Sequence, residues 1–118
     1  MMYLDDIRDY CLTKVGAYED LPFGPGTLTM TVKAKIFVFI PLDSVECQFA
    51  IKGYPDRLVD LREQFEDIQS GPYLNPRHWV SVHCTGSVPD SLIRDCIDMS
   101  YELVVKGLTA QQRLELGR

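Results

Sequence analysis

The sequence predicts an α+β domain in which a mostly antiparallel sheet is flanked by helices. Three observations carry that expectation. Amphipathic helical stripes lie near both ends of the chain, strand-like segments joined by tight turns lie between them, and residues 45–52 alternate with one apolar face. One-sided alternation of that kind marks an antiparallel sheet with one wet side.

Leu4, Ile7, Cys11, Leu12 and Val15 recur at helical spacing, which predicts a first helix over residues 3–15. Asp5 and Asp6 suit its positive end, and Gly16 is placed to end it. Residues 21–26 form a Pro/Gly loop. Leu28, Met30 and Val32 then share one face of a strand, and Lys33-Ala34 makes a tight turn without the Gly or Asn such turns favour. Residues 35–40 are a nearly all-apolar strand, and Pro41 to Ser44 breaks it. In residues 45–52, Val45, Cys47, Phe49 and Ile51 point inward.

Asp56 is placed to cap a second helix whose stripe is Leu58, Leu61, Phe65 and Ile68. After a loop over residues 70–76, a strand over residues 78–85 puts Val80, Val82 and Cys84 on one face and Trp79, Ser81 and His83 on the other. Ser87 and Asp90 look like a capping pair for a last helix over residues 89–106. The tail from Leu108 carries at most one more helical turn.

At 118 residues, with 46% hydrophobic and 25% charged residues, the chain is expected to be a single domain spanning residues 1–118. No apolar run approaches the ~18 residues of a membrane span. The N-terminus has neither a basic nor an apolar leader region, so a cytoplasmic protein is expected. Cys11, Cys47, Cys84 and Cys96 form no CxxC pair and fall on apolar positions, which predicts reduced, buried thiols. A net charge of −5 argues against a surface coated in phosphate-binding residues, though not against a local basic patch.

No nucleophile elbow, P-loop or dinucleotide fingerprint is present, so no catalytic residue and no cofactor is expected. His78, His83 and Cys84 do not converge by strand parity, so no metal site is expected. The adjacent carboxylates Glu19 and Asp20 could serve as acid and base, yet a solvated turn explains them more simply. One stretch stands apart: from Ile68 to Pro89 there is no Asp or Glu, while Tyr73, Asn75, Arg77, His78, Trp79 and His83 are all present. Donors, rings and a fixed cation suit phosphates and stacked bases, and they equally suit packing. Lys33, Lys35 and Lys52 add cations at strand ends, where lysine also guards sheet edges.

Four segments, Tyr10-Cys11-Leu12, Glu19-Asp20-Leu21-Pro22-Phe23-Gly24, Leu74-Asn75-Pro76-Arg77-His78-Trp79 and Ser100-Tyr101-Glu102-Leu103-Val104, resemble the MmcQ/YjbR family in order and over nearly the whole chain. The resemblance implies a compact CyaY-like α+β fold with a double-wing arrangement. It also implies the DNA-binding label that members commonly carry. On that basis the expected function is weak DNA binding through phosphate and aromatic contacts, with Lys33, Lys35, Lys52, Tyr73, Arg77, His78 and Trp79 as contact residues. The alternative is a protein- or small-molecule-binding module, self-associating or not, built on the aromatic surface around Phe23, Tyr73 and Trp79. An enzyme would rely on Glu19, Asp20 or His78, and nothing beside them supplies an activated nucleophile.

Overall fold

A computed structural model describes Met1–Arg118. In chain order the elements are α1 (Leu4–Leu12), β1 (Tyr18–Asp20), β2 (Thr27–Val32), β3 (Lys35–Pro41), β4 (Gln48–Lys52), α2 (Pro55–Gln64), β5 (Ile68–Gln69), β6 (Trp79–His83), α3 (Asp90–Lys106) and α4 (Ala110–Glu115). The six strands form one antiparallel sheet in the order β1-β2-β3-β4-β6-β5. The α+β class with a mostly antiparallel sheet and flanking helices is therefore as the sequence predicts.

Strand parity explains the layering. Met30, Val38, Ile40, Phe49, Ile51, Val80 and Val82 sit on one sheet face and join Ile7, Cys11, Leu58, Leu61, Ile93, Ile97 and Tyr101 in a single core. The helices cover that face. The other face carries Thr29, Phe39, Ala50, Ser81 and Gln69 in one row, because each is the register partner of the next. No helix is long and apolar enough to cross a membrane.

A bulge in β3 sets what this second face presents. Met30 pairs with Val38 but Thr31 pairs with Ile36, so Phe37 is an extra residue. Phe37 turns into the core against the Tyr101 ring (5.3 Å between centroids). Ser100 Oγ, fully buried on α3, donates to the Phe37 carbonyl at 2.5 Å and accepts the Lys52 N–H at 2.9 Å. One hydroxyl thus joins α3 to both central strands.

Several boundaries differ from the sequence expectation, each for a local reason. Residues 18–20 form an unexpected edge strand, since Tyr18 and Asp20 pair with Thr31 and Thr29. Helix α1 stops at Leu12, and Val15 is exposed while its carbonyl accepts the Tyr101 hydroxyl. Strand β4 begins only at Gln48; Val45, expected to point inward, is 104% exposed in the preceding turn. Cys47 is only half-buried, whereas the other three free thiols are buried.

The N-cap of α2 is Tyr54, with Pro55 at the first turn, in place of Asp56. Ile68 belongs to β5, opposite Val82, rather than to α2. Ser87 does not cap α3, because its hydroxyl donates to the Asp67 carboxylate, as does that of Thr85. The tail forms α4, capped reciprocally by Thr109 and Gln112.

Candidate ligand-binding cleft

The helix-free face of the sheet is partly roofed by two loops. From one side comes the 21–26 loop, whose Phe23 stacks on Phe39 with ring centroids 6.1 Å apart. From the other comes the 70–78 loop. Its Gly71 lies so close to Ser81 Oγ that a Cβ there would collide with it. Trp79 meets Phe39 edge-on, centroids 5.2 Å apart, so Phe23, Phe39 and Trp79 form a continuous aromatic run.

Between the loops lies a cleft of about 570 Å³, lined by Phe23, Phe39, Ala50, Tyr73, Leu74 and Ser81 among others. That volume suits a small organic ligand. Polar groups on its walls are Thr27, Asp43, Gln48 and Ser81, and Asp43 is the only charged one. Asp43 makes no hydrogen bond or ion pair with the protein, whereas the buried hydroxyls of Thr29 and Thr31 satisfy one another at 3.1 Å.

Two wall residues are unusual. Phe23 is 65% exposed although it stacks on Phe39, and Tyr73 is 103% exposed with φ +67°. An L residue with a bulky side chain adopts that backbone region only when its surroundings hold it there. Tyr73 therefore projects into solvent at the rim under backbone strain.

The structure divides the sequence-derived contact residues. Tyr73 lines the cleft and Trp79 supports its floor through Phe39. Lys52 pairs across the sheet with Trp79, and Arg77 and His78 immediately precede it. Lys33 lies in the β2–β3 turn and Lys35 opens β3, and Lys33 is engaged by Glu115 of α4 at 2.9 Å. None of the cations lines the cleft.

Glu19 and Asp20 do not converge. Glu19 faces the helices and holds Arg8 at 2.7 Å, while Asp20 lies on the open face opposite Thr29. His83 approaches Glu46 at 3.3 Å, on the face opposite Cys84. Burial pushes the Cys11 thiol up to about 12 and the Cys96 thiol up to about 11, so neither is a ready nucleophile.

Sequence reasoning missed Phe39, Ala50, Ser81, Asp43 and Gln48. A signal for Phe39 was present. An uninterrupted apolar strand in a sheet with one wet side must put large apolar side chains on the wet side, where something has to cover them. That the two loops meet over one row of the sheet left no local signal.

The two loops that build the cleft carry the Glu19-to-Gly24 and Leu74-to-Trp79 segments, and comparison with known proteins gives this convergence a context. A protein-family model described as YjbR matches residues 12–103. The uncharacterized protein YjbR of Escherichia coli is 28% identical over 112 residues, covering 95% of each chain. The uncharacterized protein YbdF of the same species is 30% identical over 98 residues, covering 81% of this chain and 80% of that one. A crystal structure of a Deinococcus radiodurans protein with the DUF419 domain superposes with a TM-score of 0.91 at 32% identity, covering 99% of this chain and 89% of that one. A Pseudomonas syringae structure shares the fold at a TM-score of 0.74 and 20% identity, covering 87% of this chain and 99% of that one. With its fold, its spacing of segments and these relatives in agreement, the chain belongs to the MmcQ/YjbR family.

Proposed function

We propose that this chain is a non-catalytic binding module whose small-molecule ligand sits in the cleft on the open sheet face. One observation supports this above the rest: two loops fifty residues apart in sequence roof the same row of the sheet and leave a largely apolar hollow there. A structural loop would close that hollow, because burying Phe23 and Tyr73 would each contribute about 1.5–3 kcal/mol. Binding rather than catalysis fits the walls, which offer a carboxylate, hydroxyls and an amide but no activated nucleophile.

The test is a thermal-shift and Trp79-fluorescence screen with aromatic and aliphatic metabolites, run on the wild type and on Phe23→Ser. Trp79 is the sole tryptophan and touches Phe39, so a ligand on the floor alters its emission. Saturable responses that vanish in Phe23→Ser are expected. Full responses in that variant, or none across the screen, would overturn the reading.

A second reading, weak DNA binding, is favoured by the Lys52–Trp79 pair with Arg77 beside it, since neither cation is held in an ion pair. Its contacts would be made at that end of the sheet, outside the cleft. A single-stranded oligonucleotide should then quench Trp79 in a way that salt suppresses and Arg77→Ala weakens. Quenching unaffected by salt would remove this reading.

A further inference from the structure

The cleft combines rings, one free carboxylate and no cation. Phe23, Phe39 and Tyr73 offer aromatic surface, and ring faces carry the negative end of the quadrupole. Asp43 lies on the wall beside Gly26, its Oδ2 about one van der Waals contact (3.5 Å) from where a glycine Cβ would stand. It is the only charged group lining the hollow and has no partner in the protein.

Lys52 is a cation on the open face that stands in no ion pair. It lies two residues beyond Ala50 along β4, at the Trp79 end, whereas Asp43 follows Pro41 at the other end. The one charged group on the walls thus favours positive charge, and the chain's net charge of −5 adds attraction at long range.

We infer that the cleft selects an organic cation, an amine or quaternary ammonium on an apolar body, with the charge seated among Phe23, Phe39, Tyr73 and Asp43. The inference rests on the binding-module reading and narrows its ligand class. A neutral ligand of the same shape gains only burial, and an anion meets Asp43 and the ring faces. The hydroxyls of Thr27 and Ser81 and the Gln48 amide then receive the ammonium N–H groups or the apolar body's polar substituents.

The experiment titrates four probes of similar size against 15N-labelled protein: phenethylamine, its N-trimethylated quaternary ammonium, 2-phenylethanol and 3-phenylpropionate. Chemical-shift changes at residues 23, 39, 43, 73 and 81 report the cleft, and Trp79 emission reports the floor. Both cations should bind about tenfold more tightly than the alcohol, equivalent to ~1.4 kcal/mol. The anion should bind most weakly. Asp43→Asn should reduce the preference to about threefold, and Tyr73→Ser should reduce it independently.

If the alcohol binds as well as the amines, or the anion binds best at these residues, the charge selection is wrong while the cleft remains a binding site. If no probe moves these residues, the charge selection fails and the binding-module reading loses its support as well.

Discussion

Replacing Ser100 by alanine tests the central joint of the fold. In the native protein the Ser100 hydroxyl satisfies the Phe37 carbonyl at the bulge and the Lys52 amide at the end of β4. Alanine leaves the buried Phe37 carbonyl and the part-buried Lys52 N–H without that partner, at about 1–3 kcal/mol each. Against this, alanine improves helix propensity by about 0.5 kcal/mol. The net loss is therefore about 3 kcal/mol. For 118 residues, an unfolding entropy of ~2.1 cal/mol/K per residue amounts to about 0.25 kcal/mol/K, so Tm should fall by about 12 °C. Thermal unfolding followed by circular dichroism measures this, with exposed Ser91→Ala on the same helix as a control that stays within about 0.5 kcal/mol. A fall of less than about 3 °C in Ser100→Ala would refute the assignment, because the two backbone groups would then have other partners.

Further outcomes follow from other sites. Lys33 and Ala34 both have positive φ (+48° and +64°) in the two-residue β2–β3 turn, so Ala34→Gly should stabilise the protein by about 0.5–1 kcal/mol, seen as a higher urea midpoint. Hydrogen bonds from Ser87 and Thr85 hold the Asp67 carboxyl below its ordinary range. The unfolded state therefore takes up the proton first, and Asp67 contributes stability above the ordinary carboxylate pKa that is lost as pH falls through its folded value. Urea midpoints measured from pH 5 to 3 should fall less steeply in Asp67→Asn than in wild type. Iodoacetamide at pH 8 should label Cys47 first, since burial pushes the Cys11 and Cys96 thiols up, and mass spectrometry reads the order. Tyr73→Asn should raise stability by about 0.5–1 kcal/mol while weakening ligand binding, two measurements of opposite sign.

The core was legible because its signals are local and periodic. Leu28, Met30 and Val32, or Val80 and Val82, announce their face by parity alone, and the long α3 stripe does so by its 3.6 period. Misplaced boundaries involve competition between neighbours that no window of sequence contains. Ile68 continues the helical stripe of α2 in sequence, but Val82 offers it a strand partner, and the Asp67 carboxylate is held by Thr85 and Ser87. Residues 18–20 carry no apolar alternation, so only the exposed edge of β2 makes a strand of them.

The candidate site was legible in its outline and not in its floor. The acid-free stretch from Ile68 to Pro89 and the 21–26 loop stood out by composition, and these supply the two roofs. Ser100 was legible only as part of the Ser100-to-Val104 segment and not as a joint, because its two backbone partners come from strands far off in sequence. The lysines stood out by charge, yet Lys33 pairs with Glu115 and none of them reaches the cleft.

Tyr73 offers a test of whether the roof loops act as a site or as a cover. A residue chosen for stability at φ +67° would be Gly or Asn, which meet that backbone at little cost, whereas tyrosine pays about 1 kcal/mol in strain. Packing does not repay that strain, because the Tyr73 side chain is fully exposed in the free protein. The strained backbone at Ala34 differs: it closes a hairpin, and the Ala34 N–H donates to the Tyr18 hydroxyl at 3.2 Å, so the turn has a structural reason to exist. At Tyr73 no such partner is present in the free protein, and on the binding-module proposal the compensation comes from ring contacts made with the ligand. Tyr73→Asn separates the two accounts, because the asparagine relieves the strain and removes the ring together. A gain in Tm with loss of phenethylamine binding is the signature of a binding residue held against its own stability. A gain in Tm with binding unchanged would mean that Tyr73 lines the cleft without contributing to it.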